Sequence, residues 1–126
     1  MPPTQAPTDV PTDPDCVFCR IVAGEIPATV VHEDEHTVAF RDLEPQAPTH
    51  VVVVPRRHVP TVAALVEQAP EEVAAVIAAV AAVAHQEGVD EGGYRTVFNT
   101  GRDAHQTVLH AHVHVLGGRV MGWPPG

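Results

Sequence analysis

His105-Gln106-Thr107-Val108-Leu109-His110-Ala111-His112-Val113-His114-Val115-Leu116 is the stretch on which the fold and the chemistry turn. A strand has a side-chain period of two. Read as a strand over 109–116, the segment sends His110, His112 and His114 to one face and Leu109, Ala111, Val113 and Val115 to the other. The second face is wholly apolar and requires a core, whereas the first carries three imidazoles where an antiparallel sheet shows miscellaneous polar groups. Two chemistries fit such a face. Three imidazoles can hold a metal, as in three-His zinc sites, or they can supply a nucleophile with its supporting acid and donors. Asn99, Gln106 and Thr107 flank the segment, and these neutral side chains are poor metal ligands but good partners for phosphoryl oxygens. No carboxylate cluster accompanies them, so magnesium-dependent phosphoryl transfer is not indicated and no catalytic metal is required.

Working outward, Val51-Val52-Val53-Val54 reads as a strand buried on both faces and stopped by Pro55. Ala28–His32 and Thr37–Arg41 form a hairpin pattern around Glu33-Asp34-Glu35, and Tyr94–Phe98 is a further strand. Thr61 caps a short helix to Gln68, and a helical turn covers Val17–Ala23 before Gly24. The long helix is Pro70–Gln86. Pro70 suits its first position, Glu71 and Glu72 suit its positive end, and Gly88 suits its stop. Val73, Val76, Ile77, Val80, Val83 and Ala84 recur on one face of that helix. The order of strands, one long helix and strands implies an α+β chain with a mostly antiparallel five-stranded sheet.

The 126 residues suit a single domain over 15–126, preceded by a Pro-, Thr- and Asp-rich segment over 1–14 read as a disordered or extended tail. Val (23) and Ala (17) dominate the apolar residues, against ten Leu, Ile and Phe together, so the core is built from small, branched side chains. The charge of −9, with seven Arg and no Lys, argues against a binder of nucleic-acid backbones. No apolar run approaches a membrane span, and no signal-peptide core is visible, so a cytoplasmic protein without a membrane partner is expected. Cys16 and Cys19 at C-x-x-C spacing fit metal or redox chemistry better than a secreted disulfide framework.

His110-Ala-His-Val-His-Val-Leu116 resembles the signature of the histidine triad (HIT) superfamily. Cys16-Val-Phe-Cys19, Gly24-Glu-Ile-Pro-Ala28, Ala39-Phe-Arg-Asp42, Pro45-Gln-Ala-Pro-Thr-His50, Pro55-Arg-Arg-His58 and Gly118-Arg-Val-Met-Gly-Trp-Pro-Pro-Gly126 resemble its nucleotide-binding (Hint) branch. The resemblance implies a homodimer whose two sheets join into one. It also implies a purine nucleotide bound beside the histidine strand, and hydrolysis of nucleoside 5′-phosphoramidates and related adenylates. The competing expectation is a nucleotide-binding regulatory module with vestigial chemistry.

By the same resemblance, His112 is the nucleophile and becomes a nucleotidyl-histidine, its far ring nitrogen held by a backbone carbonyl. His114 donates to phosphoryl oxygen and His110 orients the set. Gln106 and Thr107 hydrogen-bond the phosphate, Asn99 positions the sugar-phosphate, and Asp42 accepts from the ribose hydroxyls. Phe18, Ile21 and Phe40 wall the purine, with Leu43, Val108 and Trp123 completing the nucleotide contacts. Considered alone, Phe40 is a core residue and Asp42 a turn residue. The family commonly has Gly before the Gln that precedes the triad, and here the residue is His105. Gly would allow positive φ at that point, whereas His either narrows the leaving-group pocket or adds a cationic donor.

Two thiolates are too few for structural zinc, which takes four ligands. In Hint relatives with C-x-x-C the remaining ligands resemble His50 and His110. The resemblance therefore implies zinc on Cys16, Cys19, His50 and His110, while His58 is read as a structural loop residue.

Overall fold

The computed structural model describes residues 10–126. Its elements in chain order are α1 (Val17–Val22), β1 (Val30–Glu33), β2 (Thr37–Arg41), β3 (Thr49–Pro55), α2 (Val62–Gln68), α3 (Pro70–Gln86), β4 (Tyr94–Phe98) and β5 (Val113–Gly117). The strands form one antiparallel sheet in the order β1-β2-β3-β5-β4, so the last strand inserts between β3 and β4. The α+β expectation of a mostly antiparallel five-stranded sheet with one long and one or two short helices holds, the short helices being two, α1 and α2. Of the segment read as a tail, residues 1–9 lie outside the described residues. At its end, the Pro11 carbonyl accepts from the His58 amide at 2.7 Å.

Every residue of β3 is buried, as its run of valines requires. Ala39, Val51, Val53, Val113 and Val115 meet Leu65 of α2 and Val76, Val80 and Val83 of α3 on one face of the sheet. Val38, Phe40, Val52 and Val54 form the other face, packed against Phe18, Ile21 and Val22 of α1. The helices begin and end where the local chemistry dictates. Thr61 caps α2 by accepting from the Ala64 amide, and Pro70 opens α3 with Glu71 and Glu72 in its first turn. Ile77, expected on the buried face of α3, is half exposed, while Glu72 is buried in a bidentate bond from Arg57.

Two expectations about strands need correction. The first strand runs Val30–Glu33 rather than 28–32, and it carries an irregularity between Val30 and His32. The histidine strand starts at Val113, not Leu109, because the chain before it bonds elsewhere. The Ala111 amide donates to the Val59 carbonyl at 2.8 Å, outside the ladder, and Leu109 is 66 % exposed instead of facing the core.

Candidate active site and metal cluster

That early end of the ladder separates the three histidines. His114 is in β5, opposite Val52 and Val97. His112 and His110 lie in the segment leading into it, and His110 is fully buried. The His110 ring turns away from the other two. Its Nδ1 lies 3.4 Å from Cys16 Sγ, 3.5 Å from Cys19 Sγ and 3.2 Å from His58 Nδ1. His112 and His114, with ring centroids 5.0 Å apart, line a cleft of about 370 Å³.

The cleft has an apolar and a polar part. Phe18, Ile21, Phe40, Leu43 and Val52 supply apolar wall, and Phe18 stands edge-on to both Phe40 and His112. Arg41, Asp42, Asn99, His105, Thr107, His112 and His114 supply the polar groups, with Val108 beside them. The structure thus brings together most of the residues expected around a nucleotide. Gln106 does not line the cleft. Its Oε1 accepts from the Gly101 amide at 2.9 Å and its Nε2 donates to the Pro60 and Val108 carbonyls, so it braces the loop that carries Thr107. Trp123 is 82 % exposed and lies outside the cleft.

Hydrogen bonding sets the tautomer of each ring. His112 Nδ1 lies 2.7 Å from the His110 carbonyl oxygen. A carbonyl only accepts, so Nδ1 carries the proton and Nε2 keeps its lone pair. The Gln46 amide donates to His50 Nδ1 at 3.0 Å, which leaves the proton of that ring on Nε2. His50 Nε2 then donates to His114 Nδ1 at 2.8 Å, and the remaining His114 nitrogen, Nε2, is an N–H donor. Asp42 Oδ2, 3.5 Å from His50 Nε2, flanks this relay. Burial lowers His50, with the Asp42 carboxylate opposing. Burial, followed by the neighbouring His112 and His50, pushes His114 down to about 4. His50 and His114 therefore work as neutral donors and acceptors near pH 7. The set offers one free imidazole lone pair beside one imidazole N–H, which is what in-line attack on a phosphorus centre needs.

His50 is consequently not with the cysteines. It belongs to the relay, because β3 alternation turns it to the side shared with His114. The fourth member of the cysteine group is His58, delivered by the loop after Pro55, and the donor atoms of Cys16, Cys19, His58 and His110 all lie within 4.8 Å of one another. His110 Nε2 sits 2.8 Å from the Pro55 carbonyl, so it holds the ring proton and Nδ1 presents its lone pair to the cluster. Two sulfurs and two imidazole nitrogens facing one buried point form a donor set compatible with structural zinc. Without a cation, burial pushes the Cys19 thiol up to about 11 and His110 down to about 4. Sequence reasoning missed His58; the only signal was its place in Pro55-Arg-Arg-His58. The three triad histidines do not converge on one metal; His50 and His114 are hydrogen-bonded to each other, with Asp42 Oδ2 3.5 Å from His50 Nε2.

The HIT domain profile matches residues 23–121. The chain belongs to the HIT family. It is 41% identical to the purine nucleoside phosphoramidase of Escherichia coli K12 over 108 residues, covering 86% of this chain and 91% of that protein. It is 47% identical over 116 residues to a 14 kDa zinc-binding protein of Zea mays, covering 90% of each. The crystal structure of a HIT family hydrolase from Legionella pneumophila superposes with a TM-score of 0.85 at 47% identity, covering 89% of this chain and all of that one. Membership in the HIT family supports nucleotide hydrolysis as the general activity, in keeping with a cleft that pairs an apolar wall with polar and imidazole groups.

Proposed function

We propose that this HIT protein hydrolyses the P–N bond of purine nucleoside 5′-phosphoramidates and related adenylates through a nucleotidyl-His112 intermediate. The observation that carries the reading is the 2.7 Å bond from His112 Nδ1 to the His110 carbonyl, which leaves Nε2 as a lone pair in the cleft. His112 Nε2 attacks the α-phosphorus and the P–N bond breaks. The departing nitrogen takes one proton from the imidazole set and leaves as an amine. Water then attacks phosphorus, the phosphorus–imidazole bond breaks, and the water returns the proton spent. His114 Nε2–H donates to phosphoryl oxygen, with Thr107 and Asn99 beside it, while Gln106 acts by bracing the Thr107 loop. Asp42 receives the ribose hydroxyls, and Phe18, Ile21, Phe40, Leu43 and Val108 enclose the base.

Zinc on Cys16, Cys19, His58 and His110 would fasten the start of α1 to the segment before β5. The donor chemistry and the zinc-binding relative support this, and no step of the reaction passes through it. The chain is also read as a cytoplasmic homodimer. β1 and β4 are the sheet edges, and Arg95 of β4 donates to the Gly122 carbonyl at 2.8 Å, so joining two sheets at β4 brings Trp123 toward the second subunit. Among the described residues no helix is long and apolar enough to cross a membrane.

A fluorogenic adenosine phosphoramidate tests the central reading. Turnover is expected in the native chain and lost in His112→Ala with the fold intact, and acid-quenched protein should carry a nucleotidyl adduct. Nucleotide binding without turnover would replace the enzyme with a binding module.

A further inference from the structure

Among the described residues, His105 is the one non-glycine with positive φ, at φ 62° and ψ 41°. The left-handed region is costly for a side chain with a Cβ, and such strain collects where a side chain serves a function. The surrounding loop over-determines this conformation. The His105 amide donates to the Arg102 carbonyl, the Gln106 amide to the Gly101 carbonyl, and the Gly101 amide to Gln106 Oε1. The loop holds the exposed His105 against the cleft, whose lining it shares with Asn99 and Thr107. The ring has no hydrogen-bond or ion-pair partner among the described residues, unlike His50, His112 and His114.

The register of the sheet tells which end of the cleft this is. Asp42 follows β2, whose last residue Arg41 pairs with Val51, itself opposite Val115. Asn99 follows Phe98, opposite Val113. Along β5 the order is therefore Asp42 and His50, then His114, then His112, then Asn99 and the His105–Thr107 loop. With ribose at Asp42 and phosphorus at His112, the group leaving phosphorus points toward His105. The carboxylate of the cleft lies at the opposite end, and Asp103 is bonded to Arg102 outside the lining.

We propose that His105 is a specificity-determining residue that favours substrates whose leaving amine carries a carboxylate, such as an amino acid joined to phosphorus through nitrogen. This rests on the phosphoramidase reading above. An uncommitted imidazole N–H donates to the carboxylate, a charge-assisted bond that a neutral leaving group of the same size does not make.

The test compares two adenosine 5′-phosphoramidates, one with glycine and one with glycinamide as leaving amine, in the full chain and in His105→Gly and His105→Asn. The expected result is a ratio of kcat/KM values, glycine over glycinamide, that falls about tenfold in His105→Gly, the factor set by one hydrogen bond to a charged group. Asn tolerates the left-handed conformation and keeps an N–H, so its ratio should be intermediate. His105→Gly should also melt at a higher temperature than the native chain, an outcome that a purely structural histidine would not give. An unchanged ratio, or equal losses on both substrates, overturns the proposal while leaving the enzyme reading intact. Failure of the native chain to hydrolyse either compound overturns both.

Discussion

His50 shows how one atom's partner decides a residue's job. Its Nδ1 is an acceptor for the Gln46 amide, so its Nε2 proton is committed to His114. Removing the ring frees His114 to swap tautomers and, on the proposed reading, to point a lone pair instead of a donor at phosphoryl oxygen. His50→Ala should therefore lower kcat/KM by about 10–100-fold, as expected for loss of a positioned donor or of the group that orients it, with metal content unchanged. His58→Ala should do the reverse: zinc is lost by elemental analysis while the tautomer chain stays intact. The His114 ring offers a pH test. Burial places it at about 4, below the ordinary imidazole value near 6.5. Between those values the unfolded chain binds more protons than the native one, so this group's contribution to stability is full above about 6.5 and declines as pH falls toward about 4. The ring resonances of His114 in an NMR titration should move near pH 4, and denaturation midpoints should drop across the same interval.

At the scale of elements, legibility followed how locally each element is determined. Helix α3 was readable to its ends because its proline, its acidic first turn and its apolar spacing all act within a few residues. Strand β3 was readable because four consecutive valines can only be satisfied by burial on both sides. The histidine segment was half readable. Alternation is a property of paired backbone, and before Val113 the pairing stops, so a period-two argument could place His112 and His114 in one cleft but not turn His110 toward the cysteines. The swap of His50 for His58 has the same origin. Where the loop after Pro55 returns to the sheet depends on a 2.8 Å bond from Ala111 to Val59, a long-range contact with no local signature. Close packing at the end of β5 gives a prediction of its own. A Cβ on Gly117 would stand 2.8 Å from Val89 Cβ, so Gly117→Ala should cost about 1–3 kcal/mol of stability by overpacking. Val89→Ala in the same chain removes the Cγ1 contact at 2.8 Å but keeps the Cβ contact, so it should recover only part of that loss in chemical denaturation.

For the whole molecule, the cysteine–histidine cluster is a junction of three chain segments: the start of α1, the loop after β3 and the lead-in to β5. Helix α1 has six residues, too few to persist without tertiary support, and it carries Phe18 and Ile21 of the cleft wall. Chelation is therefore expected to lower Tm and, on the proposed reading, to raise KM for nucleotide substrates more than it lowers kcat, because α1 and its wall residues loosen while the His110 ring keeps its 2.8 Å bond to the Pro55 carbonyl. Steady-state kinetics before and after dialysis against a chelator, with zinc added back, checks this; a kcat loss at constant KM would contradict it. The acidic surplus of the chain does not interfere with an anionic substrate, since Asp42 is the single carboxylate lining the cleft among the described residues.

The peptide unit of His110 faces two ways: its ring meets sulfur, and its oxygen fixes the proton on the neighbouring imidazole one alternate residue along. Truncating that side chain thus shifts an anchor and the main-chain oxygen fastened to it together. On the proposed reading, a variant such as His110→Ala is expected to lose turnover although its imidazole faces the cysteines and not the cleft. Mutating the three members of the repeat in parallel would score three unlike jobs as if they were one.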